Sequence, residues 1–302
     1  MPLKDLRNLF ILAAIWGSSF LLMRLAVHDF GPVALTEVRV GVSAVFLLIV
    51  SAAMGRLKPF LQNWRVIAVG GLINIGMPFL LYSYAAQTLT AGFMAIVNAL
   101  APLFAAVVAR LWLGERLTRL RILGLVIGFG GIAILVSDSL SLEVQGQGLA
   151  IAASIAAPLC YGVAASYMTR YYRGLDPIAC AAGSVTASAL FLLPFAAITW
   201  PTQPISGVAW GAALLIALLC TGVAYLIYFK LIEDVGPGKT ITVTFLVPPF
   251  GVFWGAMVLS EPVTTSVVLG AATVLLGTLL ATGVIAAKPT GAARTASRKK
   301  PQ

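Results

Sequence analysis

Residues 94–135 read MAIVNALAPLFAAVVARLWLGERLTRLRILGLVIGFGGIAIL, two apolar stretches separated by the basic segment GERLTRLR at 114–121. A helix that crosses a bilayer needs about 20 mostly apolar residues. With the flanking residues each apolar stretch reaches about that length, and the basic segment has the polarity of a loop at a membrane surface. The stretch therefore predicts two membrane-spanning helices joined by a short turn.

The rest of the chain has the same character. Of its 302 residues 60% are apolar and 10% are charged, and the mean hydropathy is +0.99. A water-soluble domain has roughly 45–50% and 25%, so the composition excludes a soluble enzyme and a nucleic-acid-binding module. Outer-membrane strands read as only weakly hydrophobic. We predict an all-α membrane protein with ten transmembrane helices at 9–27, 33–54, 65–87, 91–112, 120–137, 147–170, 177–199, 207–229, 238–259 and 265–286.

The Lys and Arg residues are distributed unevenly among the predicted loops. Of the 20, 18 fall in alternate loops and the two terminal segments, and the intervening loops contain none. The positive-inside rule therefore places both termini in the cytoplasm. The net charge of +10 is explained by topology and indicates no nucleic-acid partner. The two exceptions, Arg24 and Arg39, lie within the first two predicted helices.

The chain also contains an internal duplication. Residues 146 positions apart are identical in order along the chain: Trp64 and Trp210, Tyr82 and Tyr228, Gly92 and Gly238, Pro102 and Pro248, Glu115 and Glu261, Gly124 and Gly270, Gly131 and Gly277. Before one indel the offset is 145, as for Gly17 and Gly162. Because each copy has five helices, the second copy must be inverted in the membrane.

Inverted repeats are typical of secondary transporters with a substrate site between the repeats. We predict a first repeat at 1–140, a second, inverted repeat at 141–287 and a disordered, basic cytoplasmic tail at 288–302. Two complete repeats can form the pathway within one chain, so we expect a functional monomer.

Four segments carry a family resemblance: LAAIWGSSFLLMRLAV at 12–27, EVRVGVSAVFLL at 37–48, the stretch 94–135, and TVTFLVPPFGVFWGAMVLSEPVTTSVVLGAATVLLGTLLATG at 242–283. They resemble the EamA repeat of the ten-helix drug/metabolite transporters, and within that family most closely the aromatic amino acid exporters of the YddG type. The resemblance implies a multi-pass protein of the cell (inner) membrane that exports amino acids or similar small metabolites by alternating access.

Polar residues recur at helical spacing within the predicted spans. Buried polar groups are costly in a bilayer unless they are paired or face water, and a proline frees a carbonyl one turn earlier. These stripes predict a central substrate cavity, although ordinary hydrogen bonding between helices would also explain individual members. The predicted lining residues are Trp16, Ser19, Asn74, Pro78, Tyr82, Asn98, Pro102, Pro158, Tyr161, Thr221, Tyr225, Thr244 and Pro248. Ser154 and Tyr228 belong to the same stripes.

Charged residues near the predicted outer surface are candidates for a gate. We expect Arg24 to pair with Glu37, because one short turn joins their helices. Arg39 then either extends to the outer surface as a snorkelling side chain, or serves with the other two as an outer gate or a contact for a substrate carboxylate. The matched acids Glu115 and Glu261 are expected in turn and capping roles.

Other function classes find little support in the residues. An enzyme within the membrane would need a general base, a nucleophile or a metal cluster, and the one histidine, His28, lies in a predicted turn. We predict no metal and no cofactor. The proton-coupled multidrug or cation exporters of the resembled superfamily are the alternative, but Trp16 stands where their first-helix glutamate aligns. We therefore expect gradient-driven flux without obligatory proton antiport, and poor affinity for quaternary cations.

Overall fold

The computed structural model describes residues 1–140 and 147–282, apart from the side chains of 57–59, 138–140 and 237–238. Within these ranges all regular secondary structure is helical. The predicted repeat boundary at 141, the end of the last predicted helix at 283–286 and the basic tail at 288–302 lie outside the described residues.

Nine long apolar helices account for most of the described chain. Eight are long and apolar enough to cross a membrane, and the remaining one, with 17 residues, is shorter. In chain order they are α1 Leu3–Ala53, α2 Trp64–Ala85, α3 Ala91–Leu113, α4 Arg119–Leu140, α5 Gln147–Tyr171, α6 Pro177–Ile198, α7 Gly207–Val235, α8 Val243–Leu259 and α9 Thr265–Thr282. The short helices Leu57–Gln62 and Pro237–Thr240 lie in connections.

Helix α1 contains 51 residues and joins the first two predicted spans. Gly31 alone leaves the helical conformation, with φ 71° and ψ 165°. A positive φ is accessible to glycine at little cost, and the residue before a proline is held in an extended ψ, here by Pro32. The predicted loop between residues 27 and 33 is thus a single-residue break, which separates an arm at 3–30 from an arm at 32–53.

Side-chain caps explain why several helices begin where they do. The side-chain oxygens of Thr90, Asp176 and Ser206 accept the backbone N–H three residues further on, at 3.1, 2.9 and 3.1 Å. Such caps satisfy backbone donors that have no partner within the helix.

The ninth predicted span, 238–259, is wrong at its start, because α8 begins only at Val243, after the separate turn Pro237–Thr240.

Contacts between the two halves of the chain occur in matched pairs. The Ser43 hydroxyl donates a hydrogen bond to the carbonyl of Ala217 at 2.8 Å, and the Ser188 hydroxyl donates one to the carbonyl of Gly71 at 3.3 Å. Ser188 is 145 residues after Ser43, and Ala217 is 146 residues after Gly71. The same contact is therefore made twice with the halves exchanged.

Glycines extend this pattern to helix packing. A Cβ atom on Gly17 would lie 2.6 Å from Cβ of Phe250, and one on Gly162 would lie 2.7 Å from the carbonyl carbon of Phe104. These residues are again 145 and 146 positions apart. At both places the helix backbones approach too closely for any side chain.

Helices α4 and α9 pack closely against each other through their glycines. A Cβ on Gly124 would lie 2.6 Å from the carbonyl oxygen of Gly277, and one on Gly270 would lie 3.2 Å from that of Gly131. Small residues allow membrane helices to pack backbone against backbone.

The outward surfaces of α4, α6 and α8 expose large apolar side chains, as expected for contact with lipid: Val126, Leu190, Ile198 and Met257.

Candidate functional site

Aromatic and polar side chains from α1, α2, α3, α5 and α7 meet in the interior of the bundle. The Trp16 and Tyr228 rings are 5.4 Å apart, the Phe20 and Tyr82 rings pack edge to face at 5.3 Å, and the Tyr82 hydroxyl donates to Oδ1 of Asn98 at 3.1 Å. We call this group the central cluster. It comprises Trp16, Phe20, Arg39, Phe79, Tyr82, Asn98, Tyr161, Thr221, Tyr225 and Tyr228.

Arg39 provides the charge of the central cluster. The residue is 5% exposed. Its Nε donates to Oγ1 of Thr221 at 3.1 Å, and its guanidinium carbon lies 3.4 Å from the centroid of the Phe79 ring. The prediction that Arg39 extends to the outer surface is therefore wrong, because a hydroxyl and an aromatic face solvate the guanidinium inside the bundle.

Two π-helical turns shape the cluster. One, Leu72–Gly76 in α2, comes just before Pro78, which cannot donate a backbone hydrogen bond. The other, Ile216–Val223 in α7, contains Thr221, whose hydroxyl donates to the carbonyl of Ile216 at 3.2 Å. Such turns are common at functional sites. The turn in α7 therefore fixes the position of the Thr221 hydroxyl oxygen, which accepts the hydrogen bond from Nε of Arg39.

Tyr161 is the member of the central cluster that α5 contributes, and it is partly exposed. Pro158 and Ser154 are buried on the same face of α5, yet Tyr161 keeps accessible surface. Tyr161 and Tyr225 are also within electrostatic reach of the buried Arg39. The Ser154 hydroxyl is buried without a hydrogen-bond partner.

The remaining predicted lining residues occupy varied positions. The hydroxyls of Ser19 and Thr244 donate to carbonyls of their own helix turns, at 2.6 and 2.8 Å, so both are used locally. Asn74 and Pro102 are half-buried, and Pro248 is buried in α8. No described contact connects these five residues to Arg39. The sequence prediction had missed Phe20 and Phe79, since apolar residues give no signal within an apolar helix.

Arg24 and Glu261 form an ion pair at one end of the bundle. Nη1 of Arg24 lies 2.6 Å from Oε1 of Glu261, and the Glu261 side chain is 8% exposed. The carboxylate also accepts the backbone N–H groups of Ala91 and Gly92, at 3.0 and 3.3 Å. We call this region the Glu261 end. Glu261 does act as a cap, but at the start of α3 and not of the helix that follows it.

The predicted pair of Arg24 with Glu37 is wrong. Glu261 is supported by the positive N-terminus of α3, so it offers the guanidinium a carboxylate that is already held in place. Glu37 is left with Oε2 buried and without a hydrogen-bond partner.

The opposite end of α3 leads to the matched acid, Glu115. Its side chain is 53% exposed, and the nearest cation, Nη1 of Arg121, is 4.0 Å away. A cavity of about 470 Å³ opens beside it. We call this region the Glu115 end. The cavity is lined by Trp112, Leu113, Glu115, Thr169, Arg170 and Arg173.

Within the described residues no group of three or more His, Cys, Asp or Glu side chains is placed to hold a metal ion. The cysteines Cys160, Cys180 and Cys220 are free.

Comparison with known proteins defines the class. The profile of the EamA-like transporter family matches residues 8–137 and 148–283. The chain belongs to this family, which confirms the predicted multi-pass membrane transporter.

Individual relatives are distant but cover most of the chain. The chain is 25% identical over 266 residues to "Uncharacterized transporter YvbV" of Bacillus subtilis, an alignment that covers 86% of this chain and 85% of the relative. It is 23% identical over 277 residues to "Probable terminal-alkyne amino-acid exporter" of Streptantibioticus cattleyicolor, covering 92% and 93%. A solved crystal structure matches with a TM-score of 0.65 and 17% identity, covering 94% of this chain and 98% of that one, which supports the fold alone.

Proposed function

We propose that the protein is a secondary transporter that exports amino acids, aromatic and other apolar ones first, or similar small metabolites across the cell membrane. The relative named as an amino-acid exporter supports this class of solute. The central cluster supports it as well, since its hydroxyl, amide and aromatic groups suit a solute with a flat or apolar side chain.

The proposed architecture is ten transmembrane helices in two inverted five-helix repeats. The count follows when α1 is divided at Gly31 and α8 is taken as a span. The matched contacts of Ser43 and Ser188 support the repeat, because inversion exchanges the halves while preserving each contact. The Lys and Arg distribution supports cytoplasmic termini, which puts the Glu115 end inside and the Glu261 end outside. A monomer then contains the whole pathway.

The contrast between the Glu261 end and the Glu115 end is the observation that supports alternating access. The Glu261 end is closed by an ion pair and two backbone hydrogen bonds. At the Glu115 end the equivalent acid faces a cavity. A carrier with one end closed and the other open fits an inward-facing state.

The outward-facing state would reverse these roles. Gly238 is the repeat counterpart of Gly92 and offers Glu115 the corresponding backbone N–H. Arg170 and Arg173, which line the cavity, offer the cation. Closure at Glu115 would accompany release at the Glu261 end, which exposes the central cluster to each side in turn.

A reversible crosslink tests this mechanism. In a background without the three native cysteines, Arg24→Cys and Glu261→Cys are joined by a short bifunctional thiosulfonate, and counterflow of a labelled amino acid panel is measured in proteoliposomes. We expect the crosslink to abolish counterflow and reduction to restore it. Each single-cysteine variant, treated alike, is the control. Undiminished counterflow in the crosslinked protein would contradict alternating access.

One observation favours the alternative, a proton-coupled multidrug or cation exporter. Glu37 is a carboxyl group within a span whose Oε2 is buried without a hydrogen-bond partner, and ionisable residues within spans often belong to proton pathways. Accumulation driven by a pH gradient alone, and lost in Glu37→Gln, would select this alternative. Gradient-driven amino acid flux that is the same in Glu37→Gln would select the main proposal.

A further inference from the structure

We propose that Arg39 forms a carboxylate-binding site in the central cluster, so that the protein selects apolar or aromatic carboxylates and rejects the corresponding amines. The inference rests on the proposed transport function, because it names the chemistry of the transported solute. Both zwitterionic amino acids and simple carboxylate anions belong to the selected class.

The first argument is the incomplete solvation of the guanidinium. Arg39 is 5% exposed, and a charge held away from water is costly unless it is paired. A guanidinium has five N–H donors. Described residues accept from Nε, through Thr221, and weakly from Nη1, through the Met23 sulfur at 3.8 Å. The Nη2 donors have no partner among the described residues and remain for a ligand.

The second argument is the absence of a counter-charge in the described part of the cluster. None of the ion pairs among the described residues includes Arg39. Glu261 and Asp176 are engaged with Arg24 and Arg56. Glu37 makes no hydrogen bond to Arg39 through its buried Oε2. A carboxylate ligand would supply the missing anion, and arginine binds carboxylates through two parallel hydrogen bonds. An amine would meet an uncompensated positive charge.

The third argument comes from the repeat. The position equivalent to Arg39 in the second half is Ser184, 145 residues later. The Ser43 hydroxyl donates to the carbonyl of Arg39 at 2.5 Å, and the Ser188 hydroxyl donates to the carbonyl of Ser184 at 2.9 Å. The local backbone structure is thus the same with a serine as with an arginine. The fold does not require the long charged side chain, which leaves a role in binding.

The fourth argument concerns the surroundings of the guanidinium. The face of Phe79 covers it at 3.4 Å, and Tyr161 and Tyr225 lie within electrostatic reach. Phe20 and Tyr82 continue this aromatic lining. A ligand carboxylate on Arg39 would therefore place its remainder against ring faces and edges, where flat or apolar groups are favoured.

The test compares three ligands that share a phenyl group. They are phenylalanine, 3-phenylpropionate, which lacks the amine, and phenethylamine, which lacks the carboxylate. Binding to the purified full chain is followed as the shift in Tm at constant ionic strength and chloride concentration, and transport is followed by inhibition of counterflow in proteoliposomes. The variants are Arg39→Met, Arg39→Lys and, as the matched control, Arg56→Met, whose arginine lies in a half-exposed ion pair with Asp176.

We expect phenylalanine and 3-phenylpropionate to raise the Tm and phenethylamine to leave it unchanged. Arg39→Met should weaken binding of both carboxylates by about tenfold or more, the range expected for hydrogen bonds to a charged group. Its Tm without ligand should stay the same or rise, because a buried unpaired charge has been removed. Arg56→Met should bind both carboxylates with unchanged affinity.

Four outcomes would overturn the inference: no shift with either carboxylate, an equal shift with phenethylamine, unchanged carboxylate affinity in Arg39→Met, or a large fall in its ligand-free Tm. If Arg39→Met does not fold, Arg39→Lys decides. It keeps the charge but loses the two-pronged geometry, so carboxylate binding should weaken severalfold, and unchanged binding overturns the site. Carboxylate-specific Tm shifts without any flux would refute the transport proposal and leave the binding site standing.

Discussion

Glu115 and Glu261 are the same residue at equivalent positions of the two halves, yet their surroundings differ. The Glu261 side chain is 8% exposed, ion-paired at 2.6 Å and bonded to two backbone N–H groups, whereas the Glu115 side chain is 53% exposed with its nearest cation at 4.0 Å. The contacts of Ser43 and Ser188 are by contrast nearly equivalent. The asymmetry between the halves therefore lies at the ends of the bundle, where the proposed change of state would need few contacts to be exchanged.

The largest expected effect comes from removing one acid at a time. Glu261→Ala should lower the free energy of unfolding by about 3 kcal/mol, because it leaves a partly buried arginine unpaired and two backbone donors at the start of α3 without an acceptor. Glu115→Ala should change it by less than about 0.5 kcal/mol, since exposed charges with distant partners contribute little. SDS denaturation in mixed micelles measures both, and equal losses would contradict the contrast between the ends.

A charge swap sharpens the comparison. If the ion pair alone stabilised the Glu261 end, Arg24→Glu combined with Glu261→Arg would restore stability. We expect the double variant to remain about 2 kcal/mol below the natural protein, because an arginine at position 261 would face the positive N-terminus of α3. The same denaturation assay, arranged as a double-mutant cycle, gives the coupling energy. Full recovery would show that the backbone hydrogen bonds contribute nothing.

The packing of α4 against α9 can be tested separately from the two ends of the bundle. Gly124→Ala should destabilise by about 1–3 kcal/mol, because the added Cβ would lie 2.5 Å from the backbone nitrogen of Ala281. Gly130→Ala is the matched control, since its Cβ meets no atom within 4 Å. The ratio of influx to efflux rates should be the same in both variants. A changed ratio in Gly124→Ala would show that α4 and α9 take part in the exchange between states.

The smallest effect on stability is expected for Glu115→Gln, which should nevertheless change the rate of exchange clearly. Glu115→Gln should leave the free energy of unfolding within about 0.5 kcal/mol of the natural value and slow exchange severalfold, since the proposed cycle needs the carboxylate only when the Glu115 end closes. Exchange rates from proteoliposome counterflow, set beside the denaturation data, check this. An unchanged exchange rate would remove Glu115 from the cycle.

Much of the fold could be predicted from the sequence because apolar length sets membrane spans. The prediction of 65–87 for α2, observed at Trp64–Ala85, illustrates this. The break at Gly31 lies within the loop predicted between residues 27 and 33, but it is only one residue long. Composition marks where a helix bends, whereas the conformation of a single glycine decides whether a loop is needed. The π-helical turn at Ile216–Val223 has no compositional signature.

The candidate site was harder to predict because its decisive contacts join residues far apart in sequence. The sequence favours the nearby Glu37 as the partner of Arg24, but the observed partner is 237 residues away. Arg39 was recognised as an unusual charge within a span, but the sequence could not reveal that Thr221 and Phe79 hold it inside. One signal was present: Ser184 occupies the repeat position of Arg39, so the arginine breaks the internal symmetry.

Distances at both ends of one molecule test the account most directly. Spin labels are placed in pairs at His28 and Val263 for the Glu261 end and at Arg116 and Tyr171 for the Glu115 end, all exposed positions, in a background without native cysteines. The distances between the labels are measured by pulsed electron–electron double resonance in liposomes, for the natural protein and for Glu261→Gln. We predict that Glu261→Gln lengthens the first distance and shortens the second. Alternating access between the two ends would be contradicted if the distance at the Glu261 end lengthens while the distance at the Glu115 end stays the same. It would also be contradicted if both distances lengthen.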